Sequence, residues 1–292
     1  MTNWDFPCSE PVDISIDNWA AGSIAVSGEP TNTISVEVLP SLMDAALDDL
    51  IAEVQVSFDD GQLYVRGPRL GSFRRRNGLD LTIKAPAQSS CAAKTVSADV
   101  SCIGEISALT VHTASGDVTA DSVSGDVTVQ SASGDVLLNT TSGNLSISTA
   151  SGDVQATRVD GDARINCASG DVTIGHCAGS VSVHTASGDV ELGAVAAGRV
   201  NLVSASGDMT VRVVPGIGVY LDLSSTSGSI RSDLEPGDGD ASMAAVEIKC
   251  RTLSGDIRIS KARGAAADSA QVESAGHQPA DPEPADSDAT ES

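Results

Sequence analysis

From residue 107 to 214 polar and apolar positions recur every nine residues: HTASGDVTA, DSVSGDVTV, QSASGDVLL, NTTSGNLSI and STASGDVQA, then on through HTASGDVEL to SASGDMTV. Counted from each glycine, apolar residues stand two, four and seven positions on, as in Val127, Val129 and Ala132, Leu145, Ile147 and Ala150, or Val172, Ile174 and Cys177. Alternation at two and four is strand periodicity, and Ser-Gly-Asp is turn chemistry, so each unit predicts a strand and a corner. A helix cannot hold this pattern.

A second period lies over the first. Ala132, Ala150, Ala168, Ala186 and Ala205 precede every second Ser-Gly, while Val123, Thr141, Val159, Cys177, Val195 and Val214 mark the alternate corners. The true repeat is therefore 18 residues, two unlike halves of nine. Such a unit cannot bury its apolar face alone, so successive coils must stack. The fold class this predicts is all-β, a two-sided parallel β-solenoid with about 4.8 Å between coils. One extra residue at Ala196-Ala197 shifts the phase before Gly198.

Glycine at the corners permits φ > 0, and the Asp after it can bond nearby backbone N–H groups. Stacking brings Asp117, Asp135, Asp153, Asp171, Asp189 and Asp208 into one column. Carboxylates about 4.8 Å apart repel by about 1 kcal/mol in water, and by more where water is thin. Backbone donors, basic neighbours or a weakly held cation must offset that, which makes the column a candidate cation ladder.

Residues 1–106 read as a less regular β region that caps the repeat. PVDISID, GSIAVSG and NTISVEV look like three short strands, and others are expected near 54–58, 62–66 and 79–84. One amphipathic helix is expected over 41–53, with Ser41 as N-cap, Asp44 at the capping-box position and Met43, Leu47, Leu50, Ile51 and Val54 as its apolar stripe. Six of the seven aromatics (Trp4, Phe6, Trp19, Phe58, Tyr64, Phe73) precede residue 75 and suit the core of that cap. The loop GPRLGSFRRRNG gathers Arg69, Arg74, Arg75 and Arg76 around Phe73, a candidate grip for an anionic partner if it is more than a solvated hairpin. The repeat runs through GVYLDLSSTSGSIRS and VEIKCRTLSGDIRIS, so the solenoid spans 107–261, and the acidic stretch 262–292 is expected to be disordered.

The net charge of −23 excludes nucleic acid as a partner for the bulk surface. No apolar run is long enough to span a membrane. MTNWDFPCSE has neither a basic n-region nor an apolar h-region, so the expectation is a cytoplasmic protein. Its six cysteines show no CxxC spacing and read as reduced thiols, Cys177 facing inward and Cys167 outward.

Candidate chemistry is thin. GHCAG (175–179) has the look of a nucleophile elbow with Cys177 for serine, but strand alternation turns His176 away from it. His112 and His184 share a column four coils apart, about 19 Å, too far for one metal. The calcium-binding nonapeptide solenoids use more glycines and a different Asp spacing. Outward positions are mostly Ser, Thr, Gln and Asn, with Arg158 and Arg164 isolated and no aromatic, unlike the sugar-stacking face of a polysaccharide-cleaving solenoid. The reading is a non-enzymatic scaffold without a cofactor, whose partner is a protein, contacted through the flat Ser/Thr-rich face or the arginine loop. Oligomeric state is not legible.

TASGDV alternating with xxGDV, an arginine-bearing loop after IAEVQV, the VYLDLSSTSGSIRSDLEP segment and the terminal RTLSGDIRIS together resemble a bacterial family of unknown function, the "putative adhesins" or β-strand-repeat proteins. The likeness covers nearly all of 10–261, with departures at GNL after Thr141, at AGSV and at the phase slip near Gly198. It implies a β-solenoid, supplies no catalytic residues, and makes surface adhesion the alternative function. A cation-binding solenoid built on the Asp column is a third.

Overall fold

The computed structural model describes residues 2–41, 48–68, 78–234 and 246–262. The described residues up to Lys261 form one compact unit, and the tail expected to be disordered lies, from residue 263, outside the described residues.

The chain opens with β1 (Thr2–Pro7), β2 (Asp13–Glu29), β3 (Thr33–Pro40), helix α1 (Asp48–Ala52), β4 (Gln55–Asp59), β5 (Gln62–Arg66), β6 (Leu79–Pro86) and β7 (Ser89–Thr113). Two of the three strands expected over 11–38 are one: β2 stays paired through its corner, where Asn18 (φ 60°) and Gly22 (φ 105°) bend it. Trp19 fills that corner, 1% exposed, its indole N–H donating to Leu79 O at 2.9 Å.

β2 runs parallel to β7, so coils 13–29 and 89–106 already belong to the parallel stack. The boundary expected at 106/107 is therefore no break. Strand alternation and ladder pairing begin before the SGDV wording does. What caps the stack is antiparallel: β1 on β3, β3 on β6, and β4 on β5. Here α1 packs on β3 with Leu50 and Ile51 buried, and the Phe6 and Phe58 rings lie 5.6 Å apart. Met43, Asp44 and Leu47, the first part of the expected helix, lie outside the described residues; the Ser41 hydroxyl donates to Asp80 Oδ1 at 2.8 Å.

The repeat follows as β8 (Val118–Val123), β9 (Val127–Ser133), β10 (Val136–Thr141), β11 (Leu145–Ser151), β12 (Val154–Val159), β13 (Ala163–Ser169), β14 (Val172–Cys177), β15 (Val181–Ser187), β16 (Val190–Val195), β17 (Arg199–Ser206) and β18 (Met209–Val213). From β8 to β16 each pairs in parallel with the strand two later, and up to the β14–β16 pair the step is 18 residues: Val118, Val136, Val154 and Val172 align on one side, Val127, Leu145, Ala163 and Val181 on the other. Val181 aligns with Val200, so β15 and β17 stay in register past the inserted residue, while β16 against β18 shifts by one residue between Leu192 and Val195.

The two halves bury different positions. Even-numbered strands from β8 to β16 bury two, four and seven after glycine, as in Val154, Ala156 and Val159, whereas β18 buries Met209, Val211 and Val213. Odd-numbered ones bury two, four and six, as in Leu145, Ile147 and Thr149. Ala132, Ala150, Ala168, Ala186 and Ala205 are thus exposed, and Cys167 is inside at 5% exposure, which corrects the register expected for them. Strict alternation simply continues to the end of these strands. The buried hydroxyl then serves the corner: Thr149, Thr185, Ser204 and Thr252 donate to the carbonyl two residues on at 3.0–3.2 Å.

The last two coils are laid out of order. β19 (Val219–Ser227) and β20 (Ile230–Ser232) form the outermost coil, and β21 (Val246–Ser254) and β22 (Ile257–Lys261) fit between it and β17–β18. Stacked on both sides, Val246, Ile248 and Cys250 are fully buried, whereas Val219, Leu221 and Leu223 in the outer coil are only half-buried.

Candidate functional site

The outward face of the odd-numbered strands is flat and regular. Thr128, Ser146, Arg164, Ser182 and Asn201 align in one outward column, and His112, Gln130, Ser148, Asn166 and His184 in the next. Neither column holds an Asp or Glu, in a chain with 40 of them. Pairing at every step also places His112 and His184 four coils apart, as the repeat implied.

Toward the N-terminal end this face dips into a groove of ≈ 460 Å³ lined by Lys94, Thr95, His112, Thr113, Gln130 and Ser131. Lys94 is ion-paired to Asp17 at 3.5 Å, and Asp17 also accepts the Tyr64 hydroxyl at 3.1 Å. Both charged side chains keep solvent contact, so the pair is worth well under 1 kcal/mol. The groove offers hydrogen-bonding groups but no nucleophile held by a base.

At the corners, each aspartate of the column turns Oδ1 to the backbone N–H of the next coil. Asp117 accepts from Asp135, Asp135 from Asp153, Asp153 from Asp171 and Asp171 from Asp189, at 2.8–2.9 Å. Asp189 serves Asp208 at 2.7 Å, and Asp208 serves Asp256 across the reordered coils at 2.8 Å. Backbone donors thus answer the repulsion between stacked carboxylates. Asp256 accepts from Ser229 at 2.7 Å, and that backbone N–H, with the Ser229 hydroxyl, holds its carboxyl below the usual range. Among the described residues no group of three or more His, Cys, Asp or Glu is placed to hold a metal ion.

Cys177 is turned into the core, 1% exposed, its thiol donating to Gly179 O at 3.5 Å. Burial pushes that thiol up to about 11, opposite to the activation a nucleophile needs. Arg69, Phe73, Arg74, Arg75 and Arg76 lie outside the described residues.

One feature escaped the sequence reading. Cys91 and Cys102, both 2% exposed, hold inward positions on the two sides of the coil formed by β7. Tracing the repeat back one more coil, to Leu109 and Ala120 minus 18 residues, would have put both cysteines in interior columns.

The family model described as Toastrack DUF4097 matches residues 32–178 and again 176–278. Among solved structures, the chain is similar to a "putative adhesin" from Bacteroides fragilis NCTC 9343, at 14% identity over 88% of this chain and 96% of that one, with a TM-score of 0.44. A "putative cell adhesion protein" from Clostridium sporogenes ATCC 15579 matches at 13% identity over 89% and 99%, TM-score 0.24. A "putative lipid binding protein" from Parabacteroides distasonis ATCC 8503 matches at 12% over 88% and 96%, TM-score 0.33. None of these names is an enzyme's, and likenesses at such TM-scores carry no functional inference. No curated protein matches the chain.

Proposed function

The chain belongs to the Toastrack DUF4097 family, and we propose that it is a non-enzymatic scaffold that binds a protein partner across the outward face of its odd-numbered strands. The observation behind this is the absence of carboxylates from that face between β9 and β17, in a chain of net charge −23. The even-numbered strands carry Asp121 in β8 and Glu191 in β16; here a partner meets short neutral donors and acceptors with Arg164 and His184 among them. Side chains of Ser, Thr and Asn lose little rotamer freedom on contact, which favours binding by a rigid plane. Groups spread evenly along a sheet do not converge on one reacting atom, which favours binding over catalysis.

The proposal places this action in the cytoplasm, and fractionation tests that part. Surface adhesion is the alternative. For the face itself, Ser148→Arg with Asn166→Arg is compared with Gln155→Arg with Leu137→Arg on the opposite face. All four positions are exposed, so folding is spared. A partner lost with the first pair and retained with the second supports the reading; equal retention by both rejects it.

A further inference from the structure

We propose that the open end of the stack pairs with the same end of a second copy of this chain, β19 running antiparallel to β19 across a two-fold axis. Among the described residues β19 is paired only with β21, and β20 only with β22, so the outer edge of that coil is bare. Val246 N–H donates to Gly218 O at 2.8 Å, and a parallel ladder alternates. Tyr220 and Asp222 therefore turn their backbone groups to β21, while Val219, Leu221 and Leu223 turn theirs to the open edge. The same three residues carry inward side chains. They align with Val246, Ile248 and Cys250, which are fully buried, yet are themselves only half-buried. Tyr220, Ile230 and Leu253 stand exposed at this end. A bare edge beside an apolar floor is a template for another strand.

Charge, the corner column and the opposite end all favour a second copy as the source of that strand. The two coils at this end, 219–234 and 246–261, hold four carboxylates and five Lys or Arg residues, in a chain of net charge −23. Asp222 is already paired with Lys249 at 3.4 Å and with Arg251 at 3.6 Å. Two copies of so acidic a chain repel on approach, but at this end the charge is balanced. At the corner, Asp189, Asp208 and Asp256 each offer Oδ1 to the amide of the coil stacked next, and the outermost coil has Ser229 in their place. It is not built to carry another parallel coil, whereas antiparallel pairing needs no such acceptor. The opposite end presents the antiparallel cap of β1, β3 and β4, with α1 packed on β3, rather than a coil edge. Head-to-tail growth is thus disfavoured, and the like-for-like contact closes on itself about a two-fold axis.

With the axis at Leu221, that residue meets itself, Val219 meets Leu223, and Tyr220 meets Asp222. The apolar pairs close over the half-buried end of the core, and the open amides of Val219, Leu221 and Leu223 find carbonyls on the facing strand. The nine residues of β19 span about 30 Å, and the two walls of a coil lie about 10 Å apart. Roughly 500 Å² of each copy is then covered, about 1,000 Å² in all, which is the lower limit of a specific interface. The dimer is accordingly weak, with a midpoint on the order of 100 μM.

The test is analytical ultracentrifugation of the full chain from about 5 μM to about 500 μM, a range that brackets this midpoint. The expected mass rises from one chain, 29.5 kDa, to twice that and no further. Hydrogen exchange slows at Val219, Leu221 and Leu223 as concentration rises, and stays as it was at Tyr220. Tyr220 is 64% exposed, so its substitutions spare the fold. Tyr220→Asp sets like charges opposite each other at Asp222 and raises the midpoint by about tenfold, while Tyr220→Lys sets opposite charges there and does not raise it. Ser148→Arg with Asn166→Arg, on the face proposed for the protein partner, leaves the dimer intact. A monomer at every concentration, growth beyond a dimer, equal effects of the two Tyr220 substitutions, or a dimer lost with the Ser148 and Asn166 pair overturns the proposal.

Discussion

Asp117 Oδ1 accepts the backbone N–H of Asp135 at 2.9 Å, one coil on in the stack. The same bond recurs at every later step of that column, so each aspartate ties its own coil to the next. The column ends consistently: the outermost coil has Ser229 where the repeat has Asp, and no further coil is stacked on it among the described residues. An acceptor is kept where an amide needs one.

Asp153→Ala therefore leaves the Asp171 amide, now bonded at 2.9 Å, without its acceptor. The bond is exposed, so the loss is about 1 kcal/mol in denaturant melts. Asp153→Asn restores most of it. The chain already uses that solution at the other corner, where Asn144 Oδ1 accepts from Asp162 at 3.1 Å.

Corner glycines resist substitution for two separable reasons. A Cβ on Gly152 (φ 133°) would lie 2.2 Å from Gly134 O, so Gly152→Ala must force coils apart and costs about 3 kcal/mol or more. At Gly61 (φ 76°) nothing lies within 4 Å, and Ala there costs only the backbone strain of about 1 kcal/mol. Equal effects at the two sites would contradict the close stacking.

Calcium leaves the melting temperature unchanged. Oδ1 of each stacked aspartate is engaged by a backbone N–H, and no metal-holding group of side chains is assembled among the described residues. A scan in chelator against one in millimolar calcium checks this, and a rise in calcium of several degrees would contradict it.

Buried thiols make the fold sensitive to alkali. Burial raises Cys250 to about 12 and Cys177 to about 11, from an ordinary 9.0. Their protons are kept in the fold and lost first on unfolding, so stability is whole below pH 9.0 and falls as pH rises toward 12. In native protein at pH 8, Cys8, half-buried near the surface, is alkylated well ahead of the other five. Denaturant curves from pH 8 to 11 and a timed alkylation series measure both effects.

Much of this was legible in the chain because stacking repeats one local rule. Val127 and Val129 could be placed indoors from alternation alone, and the 18-residue step from the alternating corners. Alternation does not say where a strand ends, so Ala150 and Thr149 exchanged their expected places at the corner. Parallel coils 13–29 and 89–106 were hidden because their corners use Asn18, Gly22 and Gly104 in other wording. The order of the last coils was half visible: RTLSGDIRIS keeps the full phrase because neighbours stack on both its sides, and TSGSI departs from it as an end rung. The candidate binding face was named in kind, but its freedom from acidic side chains emerges only once strands are aligned.

Residue-resolved hydrogen exchange tests the stack most directly. The account predicts slow exchange at the corner amides of Asp135, Asp153, Asp171 and Asp189, although their side chains are exposed, and in Asp153→Ala a selective loss of protection at Asp171, 18 positions on. Exchange at these amides as fast as in an unstructured peptide, or a loss that falls on Asp162 instead, would contradict it.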